Sequence, residues 1–139
     1  MTMAYSEALQ RAVYGRLVAD PALGALIGGA IYDAPPERPE ATRMAHVMIG
    51  EERARAFDTK TSRGARHEFA VGVHSGEHGF ATAKRIAAAI CDALTTTPIA
   101  LGQGHLVSLD FVRATAERGT APERRGVSLL FRAFIDQDD

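Results

Sequence analysis

The segment HSGEH is the strongest candidate for chemistry in this sequence. His74, Glu77 and His78 match the H-x-x-E-H pattern of inverted zinc peptidases, in which one helix presents two histidines and an acid to a single metal ion. The residues before His74 predict a strand, and Gly76 and Gly79 disfavour a helix through the motif. We therefore expect a polar turn between a strand and a helix. A metal-dependent hydrolase is the minor alternative, which stoichiometric zinc in the purified protein would revive.

The remaining histidines and the single cysteine predict no reactive centre. His46, His67 and His105 stand at strand edges without a Cys, Asp or Glu at ligand spacing. Cys91 adjoins the apolar stripe of a helix, where a thiol behaves as a small buried hydrophobic group. Nucleophile elbows, phosphate-binding loops and dinucleotide fingerprints do not occur in the sequence. We expect no catalytic residue, no metal and no cofactor.

Basic side chains concentrate in residues 51–66. This segment, EERARAFDTKTSRGAR, follows neither the helical nor the strand period, so we predict a long irregular surface loop. Its cations could neutralise DNA phosphates, contact an acidic protein surface, or be solvated without a specific role. The five cationic residues are Arg53, Arg55, Lys60, Arg63 and Arg66.

The composition predicts one folded, soluble domain over residues 1–139. A chain of 139 residues can bury a single core but is too short for two. Apolar residues make up 46% and charged residues 24%, which excludes disordered, collagen-like and membrane-spanning classes. A formal net charge of -1 gives no global reason to bind nucleic acid or an anionic membrane. Neither a signal peptide nor a transmembrane segment is predicted, so we expect synthesis in the cytoplasm.

Two segments have the period of an amphipathic helix. Near the start, Leu9, Val13 and Leu17 recur at steps of four, with Ser6 as a candidate cap and Asp20 as the end. A short helical turn ending at Gly28-Gly29 and a brief strand at 31–32 follow, and residues 34–40 read as an exposed, proline-rich connector. The second helix has a core-facing stripe of Phe80, Ala83, Ala87, Ile90 and Leu94.

The other segments predict strands. MAHVMIG and HEFAVGVHS alternate in the way of strands, and two later runs, HLVSLDFVRATAER and RRGVSLLFRAFID, form an antiparallel hairpin. In that hairpin, Val107, Leu109 and Phe111 should share one face. Leu130 and Phe134 should lie opposite the apolar set of the last strand, where the fold or another subunit would cover them. The predicted core side chains of that strand are Val127, Leu129, Phe131, Ala133 and Ile135.

The order of these elements indicates an α+β fold. We expect a largely antiparallel sheet of about four strands, with two main helices packed on one face and a long C-terminal hairpin. The expected domain organisation is a single unit.

Three segments in this order resemble the tail-terminator (tail-completion) proteins of long-tailed phages and of bacterial gene transfer agents. They are LQRAVYGRLVADPALGALIGGAIYDAPP, FAVGVHSGEHGFATAKRIAAAICDAL and HLVSLDFVRATAERGTAPERRGVSLLFRAFI. The resemblance covers nearly the whole chain. It is carried by the combination, especially LxxLIGGAIYD before prolines and a C-terminal hairpin rich in arginine. A catalytic signature is not part of it.

The resemblance implies a structural subunit, similar in fold to the lambda tail terminator, that forms a hexameric ring at the head-proximal end of the tail tube. Such a ring terminates polymerisation of the tube and joins the tail to the head. The implied partners are further copies of the chain, the major tail tube protein and a head-completion (stopper or adaptor) protein. Non-specific proximity to channel DNA is also implied, and a membrane is not. Assembly would occur in the bacterial cytoplasm, after which the protein stays in the phage-like particle.

If the resemblance holds, interfaces perform the function. The candidate interface residues are the five cations of residues 51–66 together with Leu130 and Phe134. The predicted loop would be mobile in the lone subunit and would order in the ring, toward the tube or the channel. The main alternative is a cellular α+β module that binds a small molecule or dimerises, since a fold does not fix a function. An apolar pocket with converging polar groups would favour that alternative.

Overall fold

Three helices and five strands form within the residues that the computed structural model describes, which are 5–34, 44–58, 63–75, 80–118 and 125–137. The helices are α1 (Ser6–Ala19), α2 (Pro21–Ile27) and α3 (Phe80–Thr95). The strands are β1 (Ile31–Tyr32), β2 (His46–Ala56), β3 (Gly64–His74), β4 (His105–Arg118) and β5 (Arg125–Asp136).

The strands form one sheet in the order β1-β2-β3-β5-β4. The pairs β2–β3, β3–β5 and β4–β5 are antiparallel, and the two residues of β1 pair with β2 in parallel. The predicted α+β class and the largely antiparallel sheet are confirmed. The two main helices are α1 and α3, and α2 and β1 are the expected short helical turn and brief strand. The described chain has five strands, where about four were expected.

Alternation along the two central strands directs one set of side chains into the core. Phe69, Val71 and Val73 of β3 are buried, and so are all five predicted core residues of β5. Phe131 is completely buried, and its ring centroid lies 5.6 Å from that of Phe69 and 5.9 Å from that of Phe111. The helices cover this side of the sheet, and together they enclose a single hydrophobic core.

A capping aspartate and a glycine mark the start and the end of the second helix. Leu9, Val13 and Leu17 of α1 are buried as predicted. Asp20 caps α2 by accepting a hydrogen bond from the backbone N–H of Leu23 at 2.9 Å, and Gly28, at a φ of 63°, ends that helix. The prediction that Ser6 caps α1 is wrong, because no side chain caps this helix and the Ser6 hydroxyl donates to the carboxylate of Glu52 instead.

An arginine of the first helix forms hydrogen bonds with the C-terminal end of the third. Arg16 of α1 donates hydrogen bonds to the carbonyl oxygens of Ala93 at 3.3 Å, Thr97 at 3.2 Å and Pro98 at 2.9 Å. These carbonyls lie in and just beyond the last turn of α3, where a helix leaves acceptors without intrahelical partners. Arg16 therefore satisfies acceptors at the end of α3 and adds a polar contact between two helices that share the hydrophobic core.

Residues 51–66 are not a long irregular loop, and that prediction is wrong. Strand β2 continues to Ala56 and β3 begins at Gly64, so most of the segment forms an antiparallel hairpin. A β-bulge between Ile49 and Glu52 shifts the register. Before the bulge the odd-numbered residues of β2 face the core, and after it the even-numbered ones do. This switch removed the regular period by which a strand is recognised in the sequence.

Strand β4 has two similar irregularities, between Leu106 and Ser108 and between Phe111 and Arg113. Because of the first, Leu106 faces the core and Val107 is 60% exposed, so the prediction that Val107 shares the face of Leu109 is wrong. The predicted connector at 34–40 lies almost entirely outside the described residues. In the described part of the chain, no helix is long and apolar enough to cross a bilayer.

Candidate interaction surface

The first histidine of the HSGEH segment, His74, lies in a strand and not in a helix. His74 is the last residue of β3 and α3 begins at Phe80, whereas Glu77 and His78 lie outside the described residues. The ring of His74 stacks on that of His46, with centroids 4.8 Å apart. Among the residues that the structure describes, no three potential ligands cluster around a metal position. The strand at His74 removes the helical geometry that the zinc-peptidase pattern needs.

His67 does not stand half-exposed at a strand edge, as its position suggested, but is completely buried. Its Nδ1 donates to the Glu52 carboxylate at 3.2 Å, and the Ser6 hydroxyl donates to the same oxygen. Burial by itself would raise the pKa of Glu52, but the hydrogen bonds from His67 and Ser6 and the electrostatic attraction of His67 outweigh it, so the pKa is lowered. The buried Nε2 of His67 has no partner among the described residues. This network ties α1 to the β2 bulge.

Cys91 is half-buried on α3. Burial raises the pKa of its thiol, and the neighbouring carboxylate of Asp92 raises it further. The thiolate is thus disfavoured at neutral pH, which is the opposite of the condition that a nucleophilic cysteine needs.

The open face is the side of the sheet away from the helices, and it holds most of the predicted interface residues. Cross-strand partners share a face, so the register assigns each side chain. Lys60 lies outside the described residues, and Arg63 precedes β3, where its carbonyl oxygen accepts from the Gln137 N–H at 2.7 Å. The predicted residues that meet on the open face are Arg53, Arg55, Arg66, Leu130 and Phe134.

One row across the open face alternates in charge. Arg53 of β2 lies opposite Glu68 of β3, Glu68 lies opposite Arg132 of β5, and Arg132 lies opposite Asp110 of β4. Arg132 donates to the Glu68 carboxylate at 3.1 Å. Opposite charges at facing positions stabilise a sheet modestly, so this row is electrostatically matched within the subunit.

The next row is not matched. Arg55 faces Arg66 directly, Arg66 faces Phe134, and Phe134 faces Ser108. Like charges at facing positions are unfavourable. Neither of these two guanidinium groups forms an ion pair with another described residue. The sheet therefore presents two adjacent cations that no ion pair with a described residue neutralises.

An apolar groove borders this row at the end of the sheet. It has a volume of about 320 Å³, and Phe57, Val107 and Phe134 are among the side chains that line it. The rings of Phe57 and Phe134 meet edge to face, with centroids 5.1 Å apart. Phe57 is 55% exposed in spite of this contact. Phe134 belongs to both features, so the groove and the unmatched arginines are continuous.

A wider depression lies between α1 and β1, with a volume of about 820 Å³. Polar groups on its rim already bind one another, since Arg11 pairs with Glu7 and the Gln10 side chain donates to Asp33 at 3.2 Å. It therefore differs from the apolar pocket with converging polar groups that would favour a small-molecule binding module.

The open face leaves the Arg55–Arg66 pair and the apolar groove available for contacts with another molecule. Comparisons with known proteins indicate the class to which the chain belongs. Residues 11–136 match the family described as "Tail completion protein gp17", and the chain belongs to this family. A tail completion protein is a structural part of a phage-like tail.

A solved structure gives an independent comparison. The chain is similar to a chain in the "Virion of native gene transfer agent (GTA) particle", with 43% sequence identity and a TM-score of 0.89. The similarity covers 97% of this chain and 99% of that one, so the two subunits share the whole fold. A comparison with curated proteins finds no match.

Proposed function

We propose that this chain is a non-enzymatic component of a phage-like particle, a gene transfer agent or a phage, that closes the tail tube at its head-proximal end. Identical copies form a ring, six in number as in the lambda tail terminator, which terminates polymerisation of the tube and joins the tail to the head. Membership of the tail completion family and the similarity to a subunit of a virion support this role.

The observation that carries the proposal is the open face of the sheet. The helices leave it uncovered, and it presents Arg53, Arg55, Arg66 and the half-buried Leu130 and Phe134 at one surface. A ring needs contacts between two different surfaces of successive subunits, together with one face for the tube and another for the head. Its partners are further copies, the major tail tube protein and a head-completion protein, and DNA passes through the channel.

One sequence-based expectation changes with the structure. Residues 51–56 and 64–66 lie in strands of the single subunit, so an order transition of the whole segment 51–66 on ring formation is no longer part of the proposal. The backbone of Arg53, Arg55 and Arg66 is instead ordered in the sheet before any partner arrives, which lowers the entropy cost of binding.

Deletion of the gene in a producing strain tests the proposal. We expect filled but unjoined heads together with tails of abnormal length, and restoration of joined particles by a plasmid copy. Electron microscopy of the particles should locate the restored protein at the head-proximal end of the tail. Normal joined particles from the deletion strain would contradict the proposal.

A further inference from the structure

The unmatched arginine pair and the apolar groove beside it are two parts of one surface. Arg66 faces Phe134 in the register, and Phe134 lines the groove with Phe57 and Val107. A ligand that touches one part therefore reaches the other.

An anion bound between Arg55 and Arg66 would offset the repulsion between their guanidinium groups. Arg55 and Arg66 face each other on adjacent strands, and neither forms an ion pair with a described carboxylate. Asp136 lines the adjoining groove but already has an interaction of its own. In the neighbouring row, Glu68 lies between Arg53 and Arg132, so the charges alternate and like charges do not face each other. Guanidinium groups bind carboxylates and phosphates in a bidentate manner, so either anion would offset the repulsion.

The apolar groove favours a protein carboxylate over a DNA phosphate as the bound anion. Its exposed Phe57 and Val107 offer apolar surface that an apolar side chain can cover. The backbone of duplex DNA has phosphates but no apolar group of this size at its surface, so it would leave the groove unfilled. A protein segment can supply a carboxylate and an apolar side chain together.

We infer that Arg55, Arg66 and the groove of Phe57, Val107 and Phe134 form a docking site for a protein segment that carries a carboxylate next to an apolar side chain. This inference rests on the proposed function, because the partner is another subunit of the particle. The carboxylate binds between the two guanidinium groups, and the apolar side chain packs against the edge-to-face pair of Phe57 and Phe134.

Site-specific photocrosslinking in assembled particles tests the inference. A photoreactive benzoyl-phenylalanine replaces Phe57, whose side chain is already aromatic and exposed, and the crosslinked peptide is mapped by mass spectrometry. We expect a crosslink to a protein segment in which Asp or Glu is next to an apolar residue. The same probe in Arg55→Glu/Arg66→Glu particles, or in incomplete particles if joining fails, should give a crosslink yield lower by about tenfold or more.

The control reverses two exposed cations on the helical side, in Lys84→Glu/Arg85→Glu, and should leave the crosslink yield unchanged. A crosslink to DNA, a crosslink to a segment without an acidic residue, or equal yields from the two charge-reversed proteins would overturn the inference. The deletion experiment distinguishes failure of the proposed function from failure of the docking site. Normal particles without the gene contradict the proposed function. A DNA crosslink in particles that require the gene defeats the docking site alone.

Discussion

The two faces of the sheet differ in how fully their side chains are buried and paired within the chain. On the helix-covered face, alternate residues of β3 and β5 are buried and pack in one core, and the buried His67 binds the partly buried Glu52. On the open face, the alternation continues with arginines and half-buried apolar side chains, and the Arg55–Arg66 row remains unmatched. The comparison teaches that stability resides on one side of the sheet, whereas the other side keeps contacts available for partners.

The largest difference should appear when adjacent residues of β5 are truncated. Phe131 is completely buried and Leu130 lies on the open face. We expect Phe131→Ala to lower the free energy of unfolding by about 3–5 kcal/mol, because it leaves a cavity between two other phenylalanine rings. We expect Leu130→Ala to cost about 1 kcal/mol or less. Urea denaturation measures both values, and similar losses for the two variants would show that the faces do not differ.

A smaller effect should follow from removal of the partly buried charge of Glu52 in the network. Glu52→Gln keeps the side-chain shape but loses the charged acceptor of His67 and Ser6, so we expect a loss of about 1.5–3 kcal/mol at pH 7. The pKa of Glu52 is lowered in the folded chain from its ordinary value of 4.5. Its stabilisation is therefore fully present above that value and is lost as the pH falls through the lowered folded pKa.

The pH dependence of the stability difference tests whether the charge of Glu52 causes the loss in Glu52→Gln. The difference in free energy of unfolding between the unmodified chain and Glu52→Gln should be constant near neutral pH and should shrink as Glu52 becomes protonated. Denaturation curves at several pH values between neutrality and the acid range measure it. A difference that does not change with pH would mean that the charge of Glu52 does not contribute.

The matched row of the open face should contribute least to stability. Arg132 and Glu68 form an ion pair at 3.1 Å, but their side chains remain 37% and 24% exposed. We expect Glu68→Gln to lower the free energy of unfolding by less than about 1 kcal/mol, because solvent screens such pairs. A salt titration of the two proteins checks the cause, since the difference should decrease at high ionic strength. A loss as large as that of Glu52→Gln would place this row with the core network instead.

The regular parts of the fold were predictable from the sequence, and the irregular parts were not. The stripe of Leu9, Val13 and Leu17 and the alternation of β5 follow one period throughout, so they predicted their elements and the buried face correctly. The bulges in β2 and β4 interrupt the period, which produced the wrong loop at 51–66 and the wrong orientation of Val107. The Gly50 position and the polar Arg53 and Arg55 after the apolar Val47 and Ile49 are the signal that could have indicated the first bulge.

The positions of the candidate interface residues in the sheet were predicted in part. The clustering of arginines drew attention to residues 51–66 as a candidate, and the position of Leu130 and Phe134 relative to the core set was correct. The meeting of both groups on one face depends on the pairing of β2, β3 and β5, which local patterns do not specify. The burial of His67 against Glu52 and the capping of α3 by Arg16 likewise join residues that are far apart in sequence. Such contacts follow from tertiary packing.

The most direct test of the claim that the open face is the working surface is the yield of joined particles from cells in which only Arg53→Glu/Arg55→Glu protein is made. Lys84→Glu/Arg85→Glu protein, with the same change of charge on the helical side, is the control. We expect the first variant to remain folded, with a stability change of about 1 kcal/mol or less, and to lower the yield more than tenfold. The control should join heads and tails normally. A folded Arg53→Glu/Arg55→Glu protein that supports the normal yield would contradict the account.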